Sequence, residues 1–302
     1  MAQAPSLSVS SILNKSAMQQ FNNYVQDQFP FRYTFKGLDS YFKLDILRKS
    51  DIDNMYIYNG YVIKQEYPLN LKSVERYIAK VNEICDKYFK NNKIYHTVVP
   101  DKNYYVNNGE HLKMDYGNLL NKVQNEILDA KYIDITNELD FNCYYKTDIH
   151  WKNEKLEKVV NKIGTKLNFN ITFPNLNNTY SPFYGSLYAR ISTNIKADTL
   201  NYLTSDIINN ASVFNYEKKE IQSVYTQKNL TNVDSYDVFL SGATPLLIIN
   251  NNMSNNNREL IIFRDSFGSS ITPLLIEAYK KITVIDLRYI GSKNLKEIEE
   301  IS

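Results

Sequence analysis

Four short apolar runs, alternating with amphipathic stretches, constrain this chain more than any other feature. IYHTVV (94–99), KYIDI (131–135), ELIIF (259–263) and ITVIDL (282–287) are β-rich and bounded by polar residues. Residues 72–90, 117–129, 154–167 and 273–281 carry apolar side chains at helical spacing. Strand followed by helix, repeated, predicts an α/β domain whose mostly parallel sheet is covered on both faces. Residues 168–235 interrupt the alternation with a polar, Asn-rich stretch, read as an insertion or subdomain of irregular and β structure. The pattern resumes at VFLSGATPLLIIN (238–250), and the chain ends in a short charged helix.

Ahead of the alternation, Met18, Phe21, Tyr24 and Val25 predict a helix over 16–29, stopped at Pro30. A second helix has Phe35, Leu38, Tyr41, Phe42 and Leu44 on one side. MYIYNGYVIK (55–64) predicts a hairpin turning at Asn59-Gly60. Residues 1–15 read as a flexible leader or a cloning remnant, and 16–302 as one domain.

A formal net charge of +2 with scattered Lys and Arg excludes an electrostatic nucleic-acid footprint. No run of about 18 apolar residues is present to span a membrane. The 25 Tyr and 14 Phe against one Trp reflect an AT-rich coding bias, so single tyrosines carry little weight. Cys85 and Cys143 have no metal-type spacing and read as two free thiols.

In open parallel sheets, sites form beyond the carboxyl ends of the strands. Four polar positions follow such ends: Lys102, the Asp148/His150 pair, Ser266 and Arg288. Serine needs a base to take its proton, and the base needs a partner to set its tautomer. Asp148, two residues before His150, can sit near the second ring nitrogen and orient the imidazole. The plain alternative is that Ser266 or Asp265 caps the following helix. A metal site on Asp148, His150 and Glu154 is the chemical rival, and Trp151 is either a packing residue or a sugar-stacking platform.

YYKTDIHW (144–151), IIFRDSF (261–267) and ITVIDLRY (282–289) together resemble the DHHW proteins, in the alginate O-acetyltransferase-like branch of the SGNH hydrolase superfamily. QFPFR (28–32), VVPDK (98–102), FYGSLYARI (183–191) and YDVFLSGATP (236–245) extend the likeness over nearly the whole chain. The resemblance implies a three-layer SGNH-like domain with permuted motif order, the Asp-x-His element preceding the serine. It implies Ser266 as nucleophile, His150 as general base and Asp148 as its orienting acid. It nominates Arg288, Lys102 and Tyr289 for the oxyanion or substrate, with Arg264 and Trp151 beside them. Gly185 and Gly242 are either backbone donors or tight turns, with turns preferred.

Two departures stand out: Ile149 in the middle of the Asp-x-His element, and Arg264 where the superfamily commonly has Gly, which would narrow or charge the site. One more strand is also expected after the last helix. The implied activity is transfer of an acetyl group to a polysaccharide, or its hydrolytic removal, without cofactor or metal. The implied setting is extracellular, through an N-terminal membrane anchor absent from this sequence and beside a membrane acyl-transfer partner. A catalytically silent glycan-binding or assembly scaffold is the reading from another class.

Overall fold

The computed structural model describes Tyr24 and residues 31–290, apart from 108, 193 and 233. The leader, the rest of the expected helix over 16–29 with its stop at Pro30, and the C-terminal charged helix lie outside the described residues.

Helix α1 (Arg32–Tyr41) continues into a π-helical turn, Phe42–Ile46. The hairpin follows as predicted: β1 (Met55–Tyr58) pairs antiparallel with β2 (Tyr61–Lys64) around Asn59 and Gly60, both at positive φ. That is the backbone a two-residue primed turn requires. Helix α2 (Leu71–Tyr88), strand β3 (Tyr95–His96), helix α3 (Tyr116–Glu126) and strand β4 (Lys131–Tyr132) come next. Then come α4 (Glu157–Leu167), β5 (Leu176–Phe183), α5 (Tyr188–Ile191), β6 (Asp198–Thr204), α6 (Asp206–Asn210), β7 (Ser212–Asn215) and β8 (Glu220–Gln222). The last elements are β9 (Leu246–Asn250), β10 (Glu259–Phe263), α7 (Ser266–Ile271) and β11 (Lys281–Ile285).

The central sheet has five strands in the order β10-β11-β9-β7-β8. Its register makes one correction necessary. Among the described residues only β3/β4 and β10/β11 are parallel, while β9 pairs antiparallel with both β11 and β7. The fold is mixed α/β, not mostly parallel. Parallel neighbours need a crossover, usually helical. Only β3–α3–β4 and β10–α7–β11 have one between adjacent strands. IYHTVV and KYIDI form just two ladder residues each, because little of either run meets a partner strand.

The 168–235 segment does not stand apart from this sheet: it supplies β7 and β8. Leu200, Tyr202, Val213 and Val224 from it share one buried cluster with Ile133, Ile135, Leu247, Ile249 and Val284. The expected helix over 273–281 starts earlier, at Ser266, and tightens to a 3₁₀ turn over Thr272–Ala278 around Pro273.

Helix α1 turns its predicted apolar side outward. Lys36 and Ser40 donate to the carbonyls of Ala189 and Ile191, and Leu44 packs with the cluster of Ile52, Met55, Leu187 and Ile191. Phe35, Leu38, Tyr41 and Phe42 are exposed. Polar anchoring to α5 thus overrides the hydrophobic periodicity. Both cysteines are buried and free.

Leu247 lies at the centre of the sheet, between Asn215 of β7 and Val284 of β11, and is fully buried. Leu247→Ala should cost about 2–5 kcal/mol, read as a lower urea midpoint with an unchanged m-value.

Candidate active site

Strand β10 delivers its chain end to the site, and the residue that caps the next helix is Asp265. Its side chain accepts the Phe267 N–H at 2.9 Å. Ser266 is the first helical residue, so its hydroxyl is spared from capping. The hydroxyl instead lies 2.8 Å from His150 Nε2. Of the two local readings of Ser266 and Asp265, each residue takes one.

Asp148 and His150 sit at the tip of a tight loop. Tyr144 bridges Trp151, the Tyr145 N–H donates to the His150 carbonyl at 3.1 Å, and the Lys152 N–H donates to Cys143 at 2.7 Å. Asp148 is completely buried. Its Oδ1 lies 2.5 Å from His150 Nδ1 and accepts the His150 backbone N–H at 2.9 Å. Its Oδ2 accepts the Ser186 N–H at 2.7 Å. Burial pushes the Asp148 pKa up, but the His150 charge and hydrogen bond, with the Ser186 and His150 amides, outweigh it and hold it below the usual carboxylate range. An ionised carboxylate only accepts, so Nδ1 must carry the proton and Nε2 faces Ser266 with its lone pair.

The imidazole is held in plane as well as in tautomer. Tyr236 stacks on it with centroids 3.8 Å apart and planes 5° from parallel, and Phe267 meets it edge-on at 5.0 Å. Ser270 Oγ ties these walls together, accepting the Tyr236 hydroxyl and the Trp151 indole N–H, each at 2.8 Å. Asn153 donates to the Ser270 carbonyl at 2.8 Å. Trp151 is therefore a buried packing and hydrogen-bonding residue, and its nomination as a stacking platform is corrected.

Two further nominations are revised, those of Lys102 and Arg264. Lys102 is 3% exposed and does not reach the rim; its ammonium is spent on backbone carbonyls, among them those of Val62, Tyr145 and Asp148. The Arg264 side chain is 2% exposed and is taken up by its neighbours. It donates to Ser269 Oγ and the Gly242 carbonyl, each at 2.9 Å, and lies 3.5 Å from Asp286. Arg288, about half exposed, forks onto Asp286 with two bonds of 2.9 and 2.7 Å, and Tyr289 is exposed beside it. Asp286, wholly buried at the end of β11, takes both arginines.

Gly242 has φ +72° and is the turn expected. Gly185 is needed for a different reason: a Cβ there would lie 2.2 Å from Asp148 Cβ and 2.4 Å from its Oδ2. The Gly185 and Gly242 N–H groups donate to Thr147 Oγ1 and the Phe239 carbonyl, so neither is a free donor. In α7 the Phe267 and Gly268 amides turn to Asp265, while the Ser266 N–H has no acceptor among the described residues. Glu154, the third ligand of the metal rival, accepts from Asn201 instead. Among the described residues no group of three or more His, Cys, Asp or Glu is placed to hold a metal.

Half-buried His111 stacks on Tyr56 at 3.5 Å, and half-buried His96 packs on Tyr132. Sequence reasoning missed Tyr236, Ser186, Ser270, Asn153 and Asp198. Tyr236 and Ser186 do lie within YDVFLSGATP and FYGSLYARI, the stretches that carried the resemblance.

Two outcomes check this geometry. Because the folded pKa of Asp148 is depressed, its contribution to stability is complete above the unfolded value of about 3.9 and is lost as pH falls through the folded value. Asp148→Asn should flatten that acid loss in urea titrations run from about pH 6 to about pH 2. Gly185→Ala should displace Asp148 and cut activity by about 100-fold, the usual result of a roughly 1 Å misplacement. Turnover at saturating substrate checks the second.

No protein-family model and no curated protein matches the chain. Solved structures do. A DHHW family protein from Eubacterium siraeum DSM 15702 is 20% identical with a TM-score of 0.66, over 83% of this chain and 89% of that one. Bacillus cereus PatB1 is 18% identical with a TM-score of 0.65, over 82% of this chain and 91% of its own. PatB1 with a sulfonyl adduct is 17% identical with a TM-score of 0.64, over 84% and 91%. These neighbours bear out the resemblance at the level of the fold: the chain shares the mixed α/β architecture of a DHHW family protein and of PatB1.

Proposed function

We propose that the chain is a serine-dependent acyl-transfer enzyme, and specifically an extracellular polysaccharide O-acetyltransferase. The observation that carries this reading is the line of hydrogen bonds from Asp148 through His150 to Ser266, 2.5 and 2.8 Å long. PatB1, which has the same fold, is known with a sulfonyl adduct, and sulfonyl groups are taken up by activated nucleophiles.

In the first half-reaction His150 Nε2 takes the Ser266 proton as Oγ attacks the carbonyl carbon of an acetyl ester. The tetrahedral oxyanion forms near the Ser266 N–H at the start of α7, a donor already in place. The intermediate collapses, the ester C–O bond breaks, and His150 returns its proton to the leaving oxygen, leaving acetyl-Ser266. In the second half-reaction a sugar hydroxyl gives its proton to His150 and attacks the acetyl carbon. Ser266 leaves as the alkoxide and is reprotonated by His150. Asp148 keeps its charge throughout and stabilises the imidazolium formed in each step. No cofactor takes part.

Water in place of the sugar hydroxyl gives an acetylesterase, and half-buried Ser266 lies within reach of solvent. The scaffold reading loses the support it drew from Arg264, whose guanidinium is bonded to Ser269 Oγ and the Gly242 carbonyl beside Asp286. A surface glycan as acceptor, an N-terminal membrane anchor and a membrane acyl-donor partner accompany the transferase reading as parts of the proposal. Among the described residues no helix is long and apolar enough to cross a membrane.

Incubation with an activated acetyl ester should give acetyl-Ser266, detected by mass spectrometry after rapid quenching. Ser266→Ala and His150→Ala should lower acetate release by about 10⁴-fold. Equal release by all three proteins, with Ser266 never labelled, would sink the enzyme reading. Adding oligosaccharide acceptors separates the two reactions: transfer predicts acetylated sugar at the expense of free acetate.

A further inference from the structure

The loop that carries Asp148 and His150 lies between two buried ions of opposite sign that do not touch one another. Lys102, at the start of the 3₁₀ turn after β3, donates from Nζ to Val62 O at 2.7 Å, Asp148 O at 2.7 Å and Tyr145 O at 2.9 Å, with Lys146 O at 3.5 Å. Asp198, the first residue of β6, accepts the Lys146 N–H at 2.9 Å, the Thr147 N–H at 2.8 Å and the Thr147 hydroxyl at 2.6 Å. Two successive peptide units, 145–146 and 146–147, therefore each point a carbonyl at the ammonium and an amide at the carboxylate. Their dipoles run between the charges and stand in for a direct ion pair. Asp148 is then gripped twice, by Lys102 through its carbonyl and by the Ser186 amide through its carboxylate.

We propose that Lys102 and Asp198 are positioning residues, an electrostatic clamp acting through the peptide units between them to hold the Asp148–His150 pair in register with Ser266. The proposal rests on the acyl-transfer reading of that site. The clamp needs the ammonium form. Its three N–H groups match the three short bonds, whereas a neutral amine has two N–H groups and would turn a lone pair toward a carbonyl oxygen. Burial lowers the Lys102 pKa to about 7, against the raising effect of Asp148, Asp198 and Asp101, with Lys152 adding to the fall. These four are the charged groups that face it. The clamp is thus engaged below that pH region and released above it, giving the site an alkaline limit distinct from the His150 base.

The test is the rate at which phenylmethanesulfonyl fluoride labels Ser266, followed against pH in wild type, Asp198→Asn and Lys102→Arg. Folding is checked by circular dichroism and thermal melting. Asp198→Asn should label about 100-fold more slowly at the wild-type optimum, and its alkaline fall should move to lower pH, because a charge that favours the ammonium is gone. Lys102→Arg, always charged, should lose the alkaline fall while keeping the acid one. A folded Asp198→Asn that labels at the wild-type rate with an unmoved alkaline limb overturns the clamp. If wild type is never labelled, it is the acyl-transfer reading that fails. Should neither variant fold, ¹⁵N-lysine NMR of the wild type decides. The slowly exchanging buried Nζ resonance should deprotonate along with the alkaline loss of labelling, and an Nζ that stays protonated through that loss overturns the proposal.

Discussion

Asp148 Oδ1 lies 2.5 Å from His150 Nδ1, and the organisation of the site follows from that contact. A buried carboxylate is costly unless its lone pairs are filled. Asp148 fills them with the His150 ring, the His150 amide and the Ser186 amide. The Ser186 amide can come so close only because residue 185 has no side chain. Once the carboxylate is charged and immobile, the tautomer of His150 has one solution, and the free lone pair of Nε2 has one direction to face.

The rest of the molecule brings a serine to that lone pair. The parallel β10–α7–β11 unit places Ser266 at a strand end, and Asp265 takes over the capping that would otherwise occupy a hydroxyl. Tyr236 and Phe267 fix the plane of the imidazole, and Ser270 ties Tyr236 to the Trp151 wall. The residues that touch His150 or support those that do come from the 144–153 loop, the turn before α5 that carries Ser186, the turn before β9, and α7. The geometry is thus a property of the packed fold, since Asp148 and Ser266 share no local segment.

Much of this was legible in the residues. Asp148, His150 and Ser266 could be read out because each lies beyond the end of a strand run and their order matches a recognisable pattern. The hairpin at Asn59-Gly60 was legible because its backbone needs positive φ at both positions. What was hidden depends on where a side chain goes after its strand ends. Lys102 and Arg264 follow β3 and β10 as predicted, yet both fold inward, onto backbone carbonyls and onto Asp286 and Gly242. Asp198 was invisible because it reads as one polar residue in a polar stretch, and its role depends on β6 lying against the catalytic loop. The parallel sheet was over-predicted because periodicity marks strands but does not say which strands become neighbours; β9 enters between β7 and β11 without a helical crossover. Helix α1 shows the same limit, since its apolar stripe is real and the structure faces it outward.

The central claim is that Asp148 fixes the protonation of His150 so that Nε2 serves as the base toward Ser266. ¹⁵N NMR of histidine-labelled protein measures this directly. At a pH where the imidazole is neutral, the His150 signals should show a protonated Nδ1 and an unprotonated Nε2, and Asp148→Asn should abolish that preference. A neutral His150 carrying its proton on Nε2 in the wild-type protein would contradict the account.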